Sequence, residues 1–433
     1  MQVTRKIAHI DTTGKMTVAF DVSKDKLNFY SEVLGKISGT SCRETQDVEG
    51  EIRNRTHAIL SCLRDLRSFA SERGYKGIHV VCEPTGSYSD SLLRLARQKG
   101  HSTAYVNGES VCKARIIENN DSGKDDIKDP RIIYMLSVMG KEQVYRSLPA
   151  EYQYLRELNR MYGDMDVRRK QAKCLIHALL RRLFCDYPMS KDFFYMRSGQ
   201  ALLKLYSCNP HRIASVSYGR FSSTMRKHCP VTEMSLRKLH DSACQCALHA
   251  QSELELSALE QRLQYANEDY QHATVRWTRL REQIAEVYAV VRRRGDSVPI
   301  ADGKVFTEFQ LGRFLGETGP LNDFPKAHTL HKYGGMNLRK RESGYFKGKV
   351  KFSKKGRTHM RGVTGKLAFR LVRDHEIFGP YRRRLKQQGT AGNKIIANVE
   401  RRLVEMLYAM GTRRESFCMQ RFDSCESQYR MAA

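Results

Sequence analysis

One stretch of the chain restricts its fold more than any other. From Leu256 to Val291, apolar residues recur at spacings of three and four in strict alternation over 35 residues (291 − 256), or five heptads. These residues are Leu256, Leu259, Leu263, Ala266, Tyr270, Ala273, Trp277, Leu280, Ile284, Val287 and Val291. The repeat predicts a long helix that packs on a second helix as a left-handed coiled coil. Its partner is either an earlier helix of the same chain or another subunit.

An earlier segment supplies a candidate partner. Residues 150–187 contain no proline and one glycine, and their apolar residues follow helical spacing with a break at Arg169. They are Leu155, Leu158, Tyr162, Met165, Ala172, Ile176, Leu179 and Leu183. Residues 188–250 are less regular and rich in Ser, His and Cys, and we interpret them as an inserted small helical module.

The charge balance points to a polyanionic partner. The 433 residues include 75 Lys and Arg against 47 Asp and Glu, a net charge of +28. Nucleic acid is the first expectation, an anionic membrane surface the second, and a merely soluble basic protein the alternative. No apolar run approaches the ~20 residues of a membrane span, and no signal-peptide core is present. We therefore expect a cytoplasmic protein of a bacterial or archaeal cell.

The first third of the chain predicts an α/β domain. Residues 16–31 indicate a strand, a turn and a second strand, and the apolar run in GIHVVCEPTG indicates a buried strand. Helical spacing is present in residues 47–73 and 87–99, and STAYV predicts a further short strand. Strands that alternate with helices favour a sheet covered on both faces.

The third region, from residue 299, contains a strongly basic segment. Residues 331–361 hold 11 Lys or Arg against a single acid, Glu342, with four aromatic residues interspersed. Lys354, Arg357 and Arg361 are candidate phosphate contacts, with solvated surface charge as the alternative. The aromatic residues either stack on bases or form a small core. The region ends in a helix from about residue 392 to 410, followed by a polar tail.

Four carboxylates have placements that suit a divalent-metal site. Asp21 and Glu83 end apolar strands, and Asp126 and Asp129 lie one helical turn apart in KDDIKDPRII. Carboxylates that converge in this way hold Mg²⁺ ions that stabilise phosphoryl transfer. Individually, each acid also suits a turn or a helix cap, Asp129 especially because Pro130 follows it. Asp125 is a neighbour that the spacing does not exclude.

Cysteine and histidine residues cluster in the inserted module. They are His228, Cys229, His240, Cys244, Cys246 and His249. These residue types bind zinc, but their spacing matches no standard zinc module. Buried thiols and surface histidines around a helix are the alternative interpretation.

Several motifs together resemble one family of enzymes. FDVSKDKLNFY, CEPTGSY and KDDIKDPRII resemble the RuvC-like domain of the DEDD transposases of the IS110 insertion-sequence family, whose relatives include pilin-gene-inverting recombinases. KYGGMNLRKRESG, KFSKKGRTHMR and FGPYRRRLKQQGTAGNKIIANVERRLVEMLY resemble the C-terminal transposase domain of that family. The motifs occur in the family's order and cover roughly 270 residues by the length of the matched segments.

The resemblance implies an activity and a set of site residues. It implies an RNase H-like domain that binds Mg²⁺ or Mn²⁺ through Asp21, Glu83, Asp126 and Asp129. It also implies that Ser343, in the family's Ser-Gly motif, is the nucleophile that links the protein to DNA. A noncoding bridge RNA would pair with donor and target DNA, so that base pairing reads the sequence. A homodimer would assemble into a tetramer on DNA, with sites shared between subunits.

The resulting expectation is an α/β plus mostly α protein with four regions. They are an RNase H-like (RuvC-like) domain at 1–145, a coiled-coil dimerisation region at 146–298 with the inserted module at 188–250, a small helical transposase domain at 299–412, and a tail at 413–433. Two other functions stay open. One is a Holliday-junction nuclease that uses the four carboxylates and water, and the other is a catalytically inactive nucleic-acid-binding protein.

Overall fold

The structure is a computed structural model that describes residues 14–34, 45–119, 128–144, 146–339, 342–343, 346–348, 350–374 and 376–420. Contacts within the chain define two units, residues 1–147 and 148–433. Among the helices so described, none is both long enough and apolar enough to cross a membrane.

A six-stranded mixed sheet forms the centre of the first unit. Its strands are β1 (Lys15–Val22), β2 (Lys26–Leu34), β3 (Thr45–Arg53), β4 (Gly77–Cys82), β5 (Ser102–Tyr105) and β6 (Gln143–Val144), in the order β3-β2-β1-β4-β5-β6. The pairs β1–β2, β2–β3 and β5–β6 are antiparallel, whereas β1–β4 and β4–β5 are parallel. The central strand β1 therefore has an antiparallel neighbour on one side and a parallel neighbour on the other.

Helices cover both faces of this sheet, as the sequence predicted. Alternate side chains of β1, such as Val18 and Phe20, pack with α1 (Thr56–Glu72) and α2 (Tyr88–Gln98). Ala19, between them, faces the opposite side and packs with α3 (Gly108–Asn119) and α4 (Lys128–Val138). This alternation follows from the two-residue period of a strand and makes the α/β prediction correct for this unit.

The prediction of one helix from residue 47 to 73 was wrong at its start. Residues 45–53 form β3, which pairs with β2 along its whole length, and α1 begins only at Thr56. Val48, Gly50 and Ile52 alternate with acidic residues, which is a strand period, although acidic residues have low strand propensity. Pairing with β2 outweighs that propensity.

Two long helices organise the second unit. They are α5 (Ala150–Leu183) and α10 (Glu253–Arg293). The first half of α5 packs with the second half of α10 in one core, and the remaining halves pack together in another. The two helices are therefore antiparallel, and both predicted long helices are present.

The heptad stripe of α10 is filled from within the chain. Every one of its eleven positions is buried or half-buried, and α5 is the helix packed along it. The sequence left open whether the partner helix belongs to the same chain or to another subunit. In the structure it is α5 of the same chain. At the break in the α5 pattern, the Arg169 guanidinium lies 4.2 Å from the centre of the Trp277 ring, so a cation–π contact replaces aliphatic packing.

Shorter elements occupy the rest of this unit. The inserted module contains α6 (Arg197–Tyr206), α7 (Pro210–Ala214), α8 (Tyr218–His228) and α9 (Glu233–Cys246). The C-terminal region contains helices α11 (Glu308–Thr318), α12 (Ala327–Gly334), α13 (Thr358–Asp374), α14 (Gly379–Gln387) and α15 (Gly392–Arg413). It also contains the short strands β7 (Leu338–Arg339), β8 (Glu342–Ser343), β9 (Phe346–Lys347) and β10 (Lys351–Phe352). The basic segment thus includes a hairpin that the sequence analysis did not predict.

Candidate active site

Asp21 and Glu83 lie side by side at one edge of the sheet. Asp21 is near the end of β1, and Glu83 is the residue after β4. The two strands are parallel, with Phe20 opposite Cys82, so the next residue of each strand is a neighbour of the other. Both carboxylates share the face of Ala19 and Val81, which is the face covered by α3 and α4.

The start of α3 is shaped around the Glu83 carboxylate. A Cβ atom at Gly108, the first residue of the helix, would lie 2.3 Å from Glu83 Oε1. Glycine is therefore the residue that lets the carboxylate approach the helix so closely. The positive end of the helix dipole at this point favours a negative charge.

Asp129 reaches the same face from α4, which packs on Ala19 and Val81 through Ile132 and Ile133. Its side chain is 2% exposed, and both its oxygens accept hydrogen bonds from Arg115, at 2.8 Å from Nε and 2.7 Å from Nη2. The hydrogen bonds to Asp129 raise the pKa of Arg115 against the opposing effect of burial. Asp129 is not the helix cap considered from the sequence, because α4 already begins at Lys128.

The acids make this edge of the sheet electronegative. The pKa of the Cys82 thiol is raised to about 12, first by burial and then by the charges of Glu83, Asp90 and Asp21. Asp90, in the first turn of α2, was not singled out from the sequence. The arrangement therefore attracts cations.

The carboxylates suit a hard divalent ion by their chemistry. Carboxylate oxygens are the ligands that Mg²⁺ and Mn²⁺ prefer, and Asp129 already holds a cationic partner in Arg115. Within the described part of the chain, Asp21, Glu83 and Asp129 do not bring their oxygens within 4.8 Å of one another as a group of three. Asp126 lies outside the described residues. Each Asp129 oxygen accepts one hydrogen bond from Arg115, so Asp129 would offer an ion its remaining lone pairs.

A buried polar network lies on the same face of the sheet. His79 in β4 is fully buried, with Nδ1 3.0 Å from Ser102 Oγ and Nε2 3.0 Å from Glu142 Oε1. Burial raises the pKa of Glu142, but hydrogen bonds from His79 and Ser137 outweigh it and lower the pKa overall. The sequence analysis missed Arg115 and this network because α3 was not predicted and a single histidine in a strand carries no motif.

Ser343 lies in the hairpin of the basic segment. Ser343 pairs with Phe346 in the inner strand pair, β8–β9. Leu338 pairs with Phe352 in the outer strand pair, β7–β10. The inner pair lies within the chain segment that the outer pair encloses, so Ser343 lies away from the base of the hairpin. Its side chain lies outside what the structure describes.

The base of the hairpin is tied to the end of α12. The Ser353 N–H donates to the Asn337 carbonyl at 2.8 Å, and the Lys354 N–H donates to the Gly335 carbonyl at 3.0 Å. Gly356 lies so close to this segment that a Cβ atom would be 2.5 Å from the Tyr333 oxygen. The backbone of residues 353–356 is thereby held against residues 333–337.

Two of the three candidate phosphate contacts are held by protein groups. Arg357 Nε donates to Glu317 Oε2 at 2.7 Å, and the Glu317 side chain is only 2% exposed. Arg361 Nη1 donates to the Gly334 carbonyl at 2.7 Å. Lys354 is exposed and has a positive φ of 56°.

Glu317 also connects the hairpin base to α5. Asn159 Nδ2 donates to Glu317 Oε1 at 3.1 Å, and Arg156 Nη2 donates to the Glu317 carbonyl at 3.1 Å. Burial lowers the pKa of Arg156. These contacts join α5, α11 and the segment that carries Ser343.

The six cysteine and histidine residues noted in the inserted module, all of them described, do not converge on one site. His228 Nδ1 lies 3.0 Å from the Thr224 carbonyl, and His240 Nε2 lies 2.9 Å from the Val216 carbonyl. Cys229 Sγ contacts the Met225 carbonyl at 3.4 Å. Cys246 instead meets Cys185, a residue that the sequence analysis did not include.

Comparison with known protein families gives matches to parts of both units. Residues 44–185 match a transposase family of the DEDD IS110 type, and residues 308–381 match the family described as Transposase IS116/IS110/IS902. In these two segments the chain is similar to the IS110-type transposases. The predicted resemblance, the RuvC-like (RNase H-like) fold class and the transposase function are confirmed by these matches.

The two matches include most of the candidate residues of this transposase. Glu83, Asp126 and Asp129 fall in the first, and Ser343 falls in the second, whereas Asp21 precedes the first matched residue. A search of curated proteins gave no match. A solved structure of RuvC from Thermus thermophilus is similar to 30% of this chain and 98% of its own, with 12% identity and a TM-score of 0.21.

Proposed function

We propose that this transposase cuts and rejoins DNA through a phosphoserine intermediate at Ser343, with a divalent ion bound by Asp21, Glu83, Asp126 and Asp129. A noncoding bridge RNA selects donor and target DNA, and a homodimer assembles into a tetramer on them. The single observation that carries the proposal is the pair of carboxylates at the ends of two parallel strands, Asp21 and Glu83, in a transposase of this family.

The serine chemistry conserves bond energy. The Ser343 hydroxyl attacks the phosphorus of a phosphodiester, a phosphorus–oxygen bond to serine forms, and the bond to one deoxyribose oxygen breaks. The displaced oxygen leaves as a hydroxyl after it takes a proton. The new phosphoserine bond is again a phosphodiester, so a second DNA hydroxyl can reverse the reaction without ATP.

The carboxylates and the basic segment have separate roles in this reaction. A divalent ion, when bound, stabilises the charge on the attacking and leaving oxygens. Asp21 and Glu83 would hold it from the sheet edge, and Asp129 would add a third carboxylate beside Arg115. The exposed Lys354 contacts the DNA backbone. Arg357 and Arg361 hold the hairpin base through Glu317 and the Gly334 carbonyl.

The experiment is covalent trapping on a nicked suicide substrate, in which the leaving strand diffuses away before rejoining. Wild-type protein with Mg²⁺ and bridge RNA should form a DNA adduct, and mass spectrometry should locate it on Ser343. The variants Ser343→Ala and Asp21→Asn should form none. Ser257→Ala, which removes an exposed hydroxyl from α10, should retain the adduct.

Two results would overturn the proposal. DNA cleavage by Ser343→Ala without an adduct would indicate a nuclease that uses the carboxylates and water. Adduct formation that does not depend on RNA would remove the guided part of the proposal while leaving the serine chemistry in place.

A further inference from the structure

Two thiols and a carboxylate meet where the inserted module begins and ends. The Sγ atoms of Cys185 and Cys246 are 3.0 Å apart. A carboxylate oxygen of Asp186 and these two sulfurs all lie within 4.8 Å of one another. Cys185 and Asp186 follow the last turn of α5, and Cys246 is the last residue of α9.

Hydrogen bonds hold one side of this group of side chains, and its other side is exposed to solvent. The Asp186 N–H donates to Cys246 Sγ at 3.3 Å, and Ser242 Oγ donates to the Asp186 carbonyl at 2.5 Å. Cys246 is 3% exposed, whereas Cys185 and Asp186 are exposed to solvent. An ion can therefore reach the sulfurs from solvent without any rearrangement of the core.

We propose that Cys185, Asp186 and Cys246 form a binding site for a thiophilic divalent metal ion, with zinc as the ion and water as the fourth ligand. Thiolate sulfur together with carboxylate oxygen is a donor set that zinc accepts and that Mg²⁺ does not. This site is separate from the carboxylates of the first unit and does not depend on the function proposed above.

The third ligand atom, rather than the sulfur–sulfur distance, favours a metal ion over a disulfide. Zinc–sulfur bonds of ~2.3 Å in a tetrahedron place two sulfurs about 3.8 Å apart, so Cys185 needs to move by under ~1 Å. A disulfide would instead require the sulfurs to approach to about 2.0 Å, and it would use neither the Asp186 carboxylate nor the N–H that points at Cys246. A metal site explains why three potential ligand atoms lie so close together.

The bound ion would join two distant parts of the chain. Cys185 and Cys246 are 61 residues apart (246 − 185), and they stand at the two ends of the inserted module. The ion would therefore fasten α9 to the end of α5 and fix the module on the long helices. Metal removal should loosen the module rather than abolish the carboxylate chemistry.

The test uses the full chain, reduced and freed of metal, with Co²⁺ as the spectroscopic probe. We expect one Co²⁺ per chain with a sulfur-to-cobalt charge-transfer band, and displacement of that band by one equivalent of Zn²⁺. Cys185→Ser and Cys246→Ser should each lose the band, and Asp186→Asn should weaken zinc binding at least tenfold. Cys174→Ser, which removes an exposed thiol elsewhere in α5, should keep both the band and the affinity.

Circular dichroism of each variant checks that it is folded, and Asp186→Asn keeps the test decisive if Cys246→Ser does not fold. Cobalt that binds without a charge-transfer band would sit on oxygen ligands and would overturn the proposal. A band that persists in both cysteine variants would also overturn it. So would a reduced protein that binds no metal but forms a Cys185–Cys246 disulfide on oxidation.

Discussion

The Glu83 carboxylate occupies space that only a glycine at position 108 leaves free. Its Oε1 would be 2.3 Å from a Cβ atom there, yet the carboxylate is the flexible end of a long side chain and can move away at small cost. The fold and the position of the carboxylate are therefore separable.

Gly108→Ala should leave the fold intact and remove activity. The new methyl group displaces the Glu83 carboxylate by about 1 Å, and a displacement of that size at a catalytic group costs about 100-fold in rate. The measurement is the rate of DNA strand cleavage together with the thermal unfolding midpoint. Gly163→Ala, in the open middle of α5, is the control and should raise stability by about 0.5–1 kcal/mol with unchanged activity. Equal activity in both variants would show that the position of Glu83 does not matter.

Arg115→Met should destabilise the metal-free protein. It leaves the buried Asp129 carboxylate without its cation, which costs about 3–5 kcal/mol. Denaturant titration measures the loss, and the double variant Arg115→Met with Asp129→Asn should recover part of it. Addition of Mg²⁺ should raise the midpoint of Arg115→Met more than that of wild type. A variant as stable as wild type would contradict the importance of this ion pair.

Glu400 should make stability depend on pH. Burial raises its pKa, while a hydrogen bond from Thr364 and the charge of Arg361 oppose the shift. Because the folded pKa is above the unfolded value, its stabilising contribution is complete below about pH 4.3 and is lost as pH rises through the folded pKa. Glu400→Gln should therefore gain stability relative to wild type at pH 7 but not at pH 4, by denaturant titration. Parallel pH profiles for the two proteins would exclude this role, and the exposed Glu282→Gln serves as the control.

At the scale of elements, the hairpin with Ser343 depends on buried contacts at its base. The backbone of residues 353–356 lies on residues 333–337, and Arg357 fastens it to Glu317. Glu317 in turn accepts a hydrogen bond from Asn159 of α5. The basic residues of the segment therefore have two roles. Arg357 stabilises the fold, and exposed residues such as Lys354 are available to DNA.

Arg357 and Lys354 should behave differently when each is removed. Arg357→Met breaks a buried ion pair and should cost about 3 kcal/mol of unfolding free energy. Lys354→Ala should leave stability unchanged and reduce the slope of log affinity for DNA against log salt by about 1. Thermal unfolding and binding titrations at several salt concentrations separate the two effects. A reduced slope without loss of stability in Arg357→Met would assign Arg357 to a phosphate contact instead.

The elements that the sequence predicted well are those with a complete hydrophobic period. The stripe of α10 and the strands β1, β4 and β5 were predicted within a few residues because burial dictates their residues. Strand β3 was mistaken for the start of a helix because its pairing with β2 is a long-range contact. Asp21 and Glu83 were singled out because each ends an apolar strand, whereas the hydrogen bonds from Arg115 to Asp129 depend on the packing of α3 and α4. Cys185 was missed because the chain returns to it only after 61 residues (246 − 185).

At the scale of the second unit, the long helices form one intramolecular pair. Ile284 is fully buried in their contact. Ile284→Ala should lower the free energy of unfolding by about 2–5 kcal/mol, and the loss should be the same at every protein concentration. Denaturant titration of wild type and variant over a hundredfold range of concentration is the measurement. A concentration dependence that is present in wild type and lost in Ile284→Ala would indicate that this seam is shared between subunits.

The antiparallel pair also sets a length. The 34 residues of α5 extend over about 50 Å, and one hydrophobic core lies at each end of this rod. About 50 Å equals the axial rise of roughly 15 base pairs of duplex DNA. The rod therefore keeps the inserted helices at a fixed distance from the helices that support the serine hairpin. Insertion or deletion of whole heptads in both α5 and α10 would change that spacing while preserving the packing.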